Sequence, residues 1–562
     1  MKNRFASLAI VMLLLAAFAV QADPALIIKA ANAEIAGTME QLKGEEFPPY
    51  FISYGITELK TINLSAQFGK IQNDTKSVSR TLDIDLRVGS PAFDNTHIIR
   101  GQAFSFGGGL ISADLPVEDD EKALRSKIWY STDAAYKSAV QKYEKLLTNR
   151  AVKVKEEDTS ADLSKDQIYK YSEKEVKFDF DKEEWKNRLR RLSQLFTYDE
   201  KIYYGAVSFS IVIKNKYFIS SEGSEIFHSE PFVKVYLSAQ TKADDGMSLP
   251  LYESYFAFSP DGLPSEQDMR VDLIKMMQSL KDLRDAPLMT TFSGPAILSG
   301  SASGVFFHEI FGHRVEGHRL KDPTDAQTFK SSVGEKIIAD FVDVVFDPTI
   351  KEYKGVPVSG YYKYDDEGIE GQKVTIVENG IFKNFLMSRS PIDGFNKSNG
   401  HGRRQAGYKA VSRQSNLLVI PKKEMPLDDL RKVLIEECKK QEKEFGLLFV
   451  KVQGGFTFTG RTIPNSFNVN PLVVYKIFVD GSPDQLVRGA DLIGTPLTTF
   501  SNIIAAGDDN GVFNGTCGAE SGGVPVSACS PSILVSKIEV QKKAKSQAKP
   551  PLLNAPKIKK TP

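Results

Sequence analysis

Three of the six histidines lie within eleven residues, from His308 to His318, together with Glu309 and Glu316. Neutral imidazoles bind a borderline-soft ion such as Zn²⁺, and a carboxylate beside a ligand can accept a proton from an attacking water. His308 and His313 are therefore the predicted ligand pair, and Glu309 is the predicted general base. The alternative is a buried helix whose histidines only satisfy local hydrogen bonds. Their clustering around a glutamate in an apolar run favours the metal site.

The spacing of this pair requires a distorted helix. His308 and His313 are five residues apart, which is about 140° around a regular α-helix, so they could not share a metal there. The common H-E-x-x-H motif places its ligands four apart, and Gly312 occupies that position here. A single π-type turn would return both histidines to one face. We therefore expect a locally widened helix around Gly312, where a distortion costs least sterically.

A third protein ligand is needed if one position on the metal is to stay open. His318 and Cys517 are the two candidates. Cys517 lies in a glycine-rich stretch, residues 514–523, whose backbone can approach a ligand closely. The alternative role for Cys517 is a disulfide with Cys529, twelve residues further on. Spacing alone leaves the third ligand open.

Other candidate motifs are weaker. Residues 400–405 read GHGRRQ, a basic loop in which Arg403 and Arg404 could bind a peptide backbone, a terminal carboxylate or an oxyanion. The alternative is a solvated turn. The run at residues 300–304 lacks the central serine of a G-x-S-x-G motif, and no phosphate-binding glycine motif opens a helix. Serine hydrolysis and nucleotide chemistry are therefore not supported.

The N-terminus predicts export. Residues 1–22 combine a basic start, an apolar centre and a small-residue cleavage site before Asp23, which is typical of a cleaved secretory signal peptide. We expect a periplasmic or secreted protein with no stable membrane span after cleavage. Losing Lys2 and Arg4 takes the 72 basic residues to 70, against 71 acidic residues, so nothing favours nucleic-acid binding. Only three cysteines are present, which excludes a disulfide-built scaffold.

Periodicity predicts an α+β protein. Alternation predicts strands over residues 82–88, 207–211, 233–237, 373–377 and 472–479, with a turn at Glu378-Asn379-Gly380 after the fourth. Helical spacing predicts a helix over residues 24–44, another over 265–283 and the buried histidine helix. The predicted organisation is a signal peptide at 1–22, an N-terminal mixed α/β domain at 23–286 with a charged helical insertion at about 117–196, a β-rich, largely antiparallel catalytic domain at 287–540 and a disordered basic tail at 541–562.

These motifs together resemble a known family. Residues 308–317 read HEIFGHRVEG and closely resemble the H-E-x-x-G-H-x-x-E-G signature of the TldD/PmbA peptidases. Other blocks agree in the same order: residues 399–405 resemble the G-N-G-R-R-E loop, residues 488–494 the K-G-A-x-L-I-G segment, and residues 517–531 the C-G-x-x-G-x-x-V-P-V-x-x-x-x-P block. Residues 220–223 resemble the S-x-E-G of the N-terminal domain. This signature resembles that of the metal-binding TldD-like subunit. The PmbA (TldE)-like subunit lacks it.

The resemblance implies a zinc metallopeptidase with ligands at His308, His313 and Cys517. It implies hydrolysis of unfolded peptides or small protein fragments, by a homodimer or by a heterodimer with a PmbA/TldE-like subunit. Two positions depart from the pattern, since His318 stands where members often carry an acid and Gln405 replaces the usual Glu. Two other functions remain open at this point: a non-catalytic metal-binding assembly module, and a metal-dependent hydrolase of a non-peptide amide.

Overall fold

A computed structural model describes residues 24–98, 110–152, 159–322, 325, 327–460, 467–494, 496–543, 549–551 and 553. The predicted signal peptide, residues 1–22, and most of the predicted tail lie outside the described residues. Within the described ranges, no helix is both long enough and apolar enough to cross a membrane.

The N-terminal half is built on one large sheet with helices packed against it. Its elements, in chain order, are α1 (Pro24–Gln41), β1 (Pro49–Gln67), β2 (Lys70–Ser90), β3 (Phe93–Asp94), β4 (Ile111–Asp114), α2 (Glu121–Val152), β5 (Lys170–Ser172), α3 (Lys182–Gln194), β6 (Tyr204–Ser220), β7 (Glu225–Lys242), β8 (Ser248–Ala257) and α4 (Glu266–Asp285).

Strand order in this sheet is β3-β2-β1-β6-β7-β5, with β4 added beside β2 and β8 beside β7. All pairings are antiparallel except that of β5 with β7. Phe68 and Gly69 close the β1–β2 hairpin with positive φ angles of 45° and 83°, the backbone that a two-residue turn needs to match strand twist. Helices α1 and α2 share a core with β1 and β2, whereas α3 and α4 share a core with β6, β7 and β8. Apolar and polar residues therefore alternate along each strand, because only every second side chain faces these helices.

The C-terminal half contains most of the strands. Its elements, in chain order, are β9 (Phe292–Leu298), α5 (Gly300–Ile310), β10 (Val342–Phe346), β11 (Glu352–Tyr353), β12 (Val356–Pro357), β13 (Val374–Glu378), β14 (Ile381–Phe382), β15 (Gly402–Arg403), β16 (Val411–Ser412), β17 (Asn416–Pro421), α6 (Leu427–Lys440), β18 (Phe445–Thr457), β19 (Phe467–Phe478), β20 (Gln485–Val487), β21 (Ala490–Gly494), α7 (Pro496–Ser501), β22 (Ile503–Ala506), β23 (Gly511–Ala519), β24 (Gly522–Ser530) and β25 (Ile533–Lys542).

Two larger sheets organise these strands. One has the order β14-β13-β10-β17-β24-β23, and the other has the order β18-β9-β25-β21-β19-β20 with β22 beside β25. Strand β18 also pairs with β19, so β18, β9, β25, β21 and β19 close into a ring. Most pairings are antiparallel, the exceptions being β17 with β24 and β18 with β9.

Helix α5 lies between the two sheets and contacts β18 and β19 on one side and β23 and β24 on the other. Its sequence, GSASGVFFHEI, is apolar around most of its circumference, and its residues from Ala302 to Ile310 are all buried. Glycine allows the close approach, since a Cβ on Gly304 would lie 2.7 Å from the carbonyl oxygen of Ala528 on β24. The helix that carries His308 is thus fixed from both sides.

The predicted α+β class with a β-rich C-terminal region is confirmed. The chain passes from the first sheet to the later ones between α4 and β9, around the predicted boundary at residue 286. The predicted charged insertion forms α2 and α3, which pack on the N-terminal sheet. Strand β25 continues to Lys542, so residues 541 and 542 belong to a sheet and not to the predicted tail.

Candidate metal centre

The two predicted histidine ligands meet where α5 ends. His308 lies in the last turn of the helix, whereas His313 lies in a separate 3₁₀ turn, Gly312–Arg314. The prediction of a widened π-type helix is therefore wrong. Arg314 explains the difference, because its Nη1 donates to the carbonyl oxygens of Glu309 at 2.9 Å and Ile310 at 3.1 Å and so ends the helix. The chain continues into a tighter 3₁₀ turn, and the two imidazole centroids lie 5.0 Å apart.

Cys517 completes a cluster of three donors. It lies on β23, whose hairpin with β24 brings its Sγ to 3.4 Å from Nε2 of His313. One donor atom from each of His308, His313 and Cys517 lies within 4.8 Å of the others. The three residues have 9%, 6% and 5% of their surfaces exposed.

The alternative disulfide between Cys517 and Cys529 does not form. Both residues, like Cys438, are free and buried. In the β23–β24 ladder Cys517 is opposite Val524, whereas Cys529 is opposite Val512, which keeps the two sulfurs apart along the hairpin. The Cys517 thiol therefore remains available to a metal.

A buried carboxylate orients His313. Nδ1 of His313 lies 3.1 Å from Oε2 of Glu316, which leaves Nε2 directed at the Cys517 sulfur. Arg319 donates to the same Glu316 oxygen from Nη2 at 2.8 Å, and the Arg413 guanidinium lies 3.4 Å from the other oxygen. Burial opposes the charge on Glu316, but His313 and Arg319 lower the pKa of its carboxyl to about 2. Such a carboxylate–imidazole pair fixes the tautomer that a metal ligand needs.

The cluster also favours a thiolate. Burial opposes ionisation of Cys517, but His313, His308 and Arg413 together hold the pKa of its thiol well below the usual range. Arg413 additionally donates from Nη2 to the Cys517 carbonyl oxygen at 2.7 Å. Two imidazoles and one thiolate suit Zn²⁺ and leave one position open for water or substrate. The donor set therefore fits a catalytic zinc site.

Glu309, the predicted general base, is buried beside this cluster with 6% of its surface exposed. Gly455 on β18 makes room for it, because a Cβ there would lie 2.8 Å from Cγ of Glu309. Burial raises the pKa of the Glu309 carboxyl, and the two histidines only partly offset this effect. A raised pKa brings a carboxylate closer to the range in which it can both accept and return a proton.

His318 lies outside the donor cluster. Its Nε2 pairs with Oε1 of Glu520, at the tip of the β23–β24 hairpin, and Arg319 donates to the other Glu520 oxygen at 3.1 Å. These contacts join the histidine segment to the hairpin that carries Cys517. His318 therefore supports the hairpin directly and lies outside the donor cluster.

The two predicted substrate-binding arginines are engaged within the protein. Arg403 is buried over the ring of Tyr362, at 4.6 Å, and donates from Nη1 to the carbonyl oxygen of Gln414 at 2.5 Å. Arg404 pairs with Asp83 of the N-terminal sheet. Both side chains stabilise the loop in this structure, and their role in substrate binding stays a prediction.

Four residues of the site were not assigned a role from the sequence: Glu316, Arg319, Arg413 and Glu520. Glu316 falls inside the signature at residues 308–317, which could have marked it as a partner of His313. Arg413 and Glu520 stand about a hundred or more residues from His313, and no local pattern links them to it.

Several known metalloproteases are similar to this chain. Residues 291–542 match the model of the PmbA/TldA metallopeptidase C-terminal domain. The chain is 29% identical over 333 residues to metalloprotease MJ0996 of Methanocaldococcus jannaschii, covering 58% of this chain and 68% of the relative. It is 27% identical over 248 residues to the zinc metalloprotease TldD homolog of Saccharolobus solfataricus, covering 44% and 51%. These alignments span only half to about two thirds of the relatives' lengths.

Among solved structures, TldE from Thermococcus kodakarensis superposes with a TM-score of 0.59 and 14% identity, covering 91% of this chain and 100% of the other. At that identity the similarity concerns the fold alone. The family match and the relatives' names together support a metallopeptidase of the PmbA/TldD family.

Proposed function

We propose that the protein is a TldD-like, zinc-dependent peptidase in which His308, His313 and Cys517 hold the metal. The observation that carries this proposal is the convergence of these three buried donors within 4.8 Å, beside the carboxylate of Glu309. Bound zinc would supply Lewis-acid chemistry at this point.

Glu309 is the proton carrier of the proposed reaction. Its carboxylate accepts a proton from the attacking water and returns it to the leaving amine. Arg314 holds the backbone of Glu309 through the carbonyl contact at 2.9 Å, and Gly455 leaves space for its side chain. The base is thus fixed next to the ligand His308 before substrate arrives.

The substrates that suit this site are unfolded peptides or small protein fragments. The donors are almost fully buried, so an extended chain reaches them more easily than a folded surface does. We further propose an exported location and a dimer, either with itself or with a PmbA/TldE-like subunit. The signal-like N-terminus motivates the location, and the fold shared with a protein named TldE motivates the pairing.

Replacing Glu309 with glutamine tests the catalytic assignment. Glutamine keeps the shape but cannot accept the proton, so zinc content should be unchanged while peptide hydrolysis falls by about 10² or more. Metal analysis and a peptide-cleavage assay on both proteins measure this. Undiminished cleavage by Glu309→Gln would rule out Glu309 as the base, and absence of cleavage by the zinc-loaded parent would favour an assembly role.

The proposed location has a separate test. Signal cleavage after Ala22 would make the mature chain begin near Asp23. Mass spectrometry of the natural protein, after cell fractionation, should find that N-terminus outside the cytoplasm. A soluble cytoplasmic protein that retains residues 1–22 would contradict export.

A further inference from the structure

One face of the N-terminal sheet carries polar side chains and remains partly open to solvent. Along β6 and β7, alternate residues such as Phe209 and Val235 are buried against α3 and α4. The residues between them point the other way. Tyr236, on that side, is 42% exposed, and Asn63, Ser210 and Lys234 lie in cross-strand register as half-buried neighbours. We call this side of β1, β6, β7 and β8 the open face.

Two lysines on the open face make no direct ion pair in the described part of the chain. Lys214 lies on β6 with its Nζ 5.1 Å from the centroid of the Phe232 ring, and Lys234 lies on β7. Neither ammonium group makes an ion pair or hydrogen bond with a described residue. The carboxylates nearest to Lys214, those of Glu230 and Asp366, are both paired with Lys216, at 3.1 and 3.0 Å.

Neither ammonium group has a carboxylate in direct contact, although Glu230 and Asp366 attract that of Lys214. Burial, followed by the charge of Lys216, lowers the pKa of Lys214 to about 8, and burial alone lowers the pKa of Lys234. Partly buried ammonium groups gain most from charge-assisted hydrogen bonds, because surrounding protein screens them less than water does. The open face is therefore complementary to an anionic occupant.

Strand β18 connects the edge of the open face with the candidate metal centre. Tyr252 on β8 stacks against Tyr236 with ring centroids 5.4 Å apart, and its hydroxyl donates to the carbonyl oxygen of Val452 at 2.8 Å. Val452 lies on β18, and a Cβ on Gly455, three residues later, would lie 2.8 Å from Cγ of Glu309. The same strand thus joins the edge of the open face to the proposed base.

We propose that the open face docks an acidic segment of an extended peptide substrate, with carboxylates paired to Lys214 and Lys234. This inference rests on the proposed peptidase function and adds a substrate class to it. Lys214 on β6 is opposite Glu230 on β7, and Lys234 follows Glu230 by four residues on β7. That separation is about 13 Å along the strand, which acidic residues four apart in an extended peptide would match. Side chains alternate between the two sides of an extended peptide, so acidic residues four positions apart both face the sheet.

Binding measured with the full mature chain carrying Glu309→Gln separates docking from cleavage. Fluorescence anisotropy would measure the binding of three short labelled peptides of Ser, Ala and Tyr. The first contains two Glu residues four positions apart, the second has Gln at both of these positions, and the third has its two Glu residues adjacent. We expect the first to bind about tenfold more tightly, the scale of one or two charge-assisted hydrogen bonds. Adding Lys214→Met and Lys234→Met should abolish this preference, because methionine keeps the apolar stem and removes the charge. Lys281→Met, on the exposed surface of α4, is the matched control and should retain it. Thermal melting checks that each variant is folded.

Equal binding of the Glu and Gln peptides would overturn the proposal. So would a preference that survives loss of both lysines. If the double lysine variant instead changes the oligomeric state measured by sedimentation and leaves peptide preference unaltered, the face is a subunit interface and the proposal is wrong. An error in the proposed peptidase function would give a different result from these. The zinc-loaded parent would then bind acidic peptides but cleave no peptide.

Discussion

At the scale of single residues, the contacts that each candidate makes favour Cys517 over His318 as the third metal ligand. His318 pairs with Glu520 and lies outside the donor cluster, whereas the sulfur of Cys517 lies 3.4 Å from Nε2 of His313. Electrostatics favour the same choice, since His313, His308 and Arg413 hold the pKa of the Cys517 thiol well below its usual range. Geometry thus favours Cys517 of the two candidates left open by sequence spacing, and its role as a ligand stays a prediction.

Paired substitutions test this difference. Cys517→Ala removes a proposed ligand, so zinc affinity should fall by more than the 10- to 100-fold that is typical of losing an outer hydrogen-bond partner. His318→Ala should keep the metal, with a loss no larger than that range, because it touches the centre only through Glu520 and the hairpin. Zinc titration against a competing chelator measures both. Retention of zinc by the Cys517 variant with loss in the His318 variant would reverse the assignment.

At the scale of elements, the site depends on how abruptly α5 ends. Gly312 begins the 3₁₀ turn that carries His313, and a Cβ at that position would lie 1.9 Å from Oε1 of Gln414. Gln414 is fully buried, and its Nε2 donates to the carbonyl oxygen of His308 at 3.4 Å. The glycine therefore allows strand β17 and its preceding loop to pack directly against the ligand turn.

Gly312→Ala should damage both folding and metal binding. The added methyl group must displace Gln414, and overpacking a buried site costs about 1–3 kcal/mol. Urea unfolding and zinc titration would show both effects. Gly518→Ala is the matched control, since Gly518 follows Cys517 directly yet a Cβ there would meet no atom within 4 Å. Equal behaviour of the two variants would contradict the packing argument.

Helices, strands and turns were predictable where the residues that determine them are neighbours in the sequence. The strand expected at residues 373–377 is β13, Val374–Glu378, and its predicted turn has Asn379 and Gly380 at positive φ angles of 52° and 76°. The end of α5 was not predictable in the same way. It depends on Arg314 folding back onto two carbonyl oxygens, and the periodicity of the run does not reveal that contact. Cys517 lies 204 residues from His313. It was favoured as the third ligand because a thiolate binds zinc strongly, because glycines flank it and because of the family resemblance, and not by any local pattern.

At the scale of the whole molecule, ion pairs join the N-terminal sheet to the loops of the C-terminal half. Lys216 on β6 binds Asp366 at 3.0 Å, and Arg389 binds Glu222 at 2.8 Å. Glu222 belongs to the S-x-E-G block at residues 220–223, so that block has a structural role between the two halves. Such pairs bring together residues more than a hundred positions apart, which explains why sequence patterns identified the block but not its partner.

Asp366 gives this junction a defined pH dependence. Burial opposes its charge, but Lys216 and Arg404 lower the pKa of its carboxyl to about 2. An aspartate with a lowered pKa stabilises the fold above its unfolded value of about 4, and that contribution is lost as pH falls towards the folded value. Asp366→Asn should therefore reduce the free energy of unfolding at pH 7 by about 2 kcal/mol, and the difference from the parent should shrink below pH 4. Urea unfolding of both metal-free proteins at pH 7 and pH 3 measures this difference.

The exposed Asp508 provides a control substitution, Asp508→Asn, which should leave stability nearly unchanged at either pH. A difference between Asp366→Asn and the parent that is the same at both pH values would show that lost packing, and not the charge of Asp366, accounts for the effect.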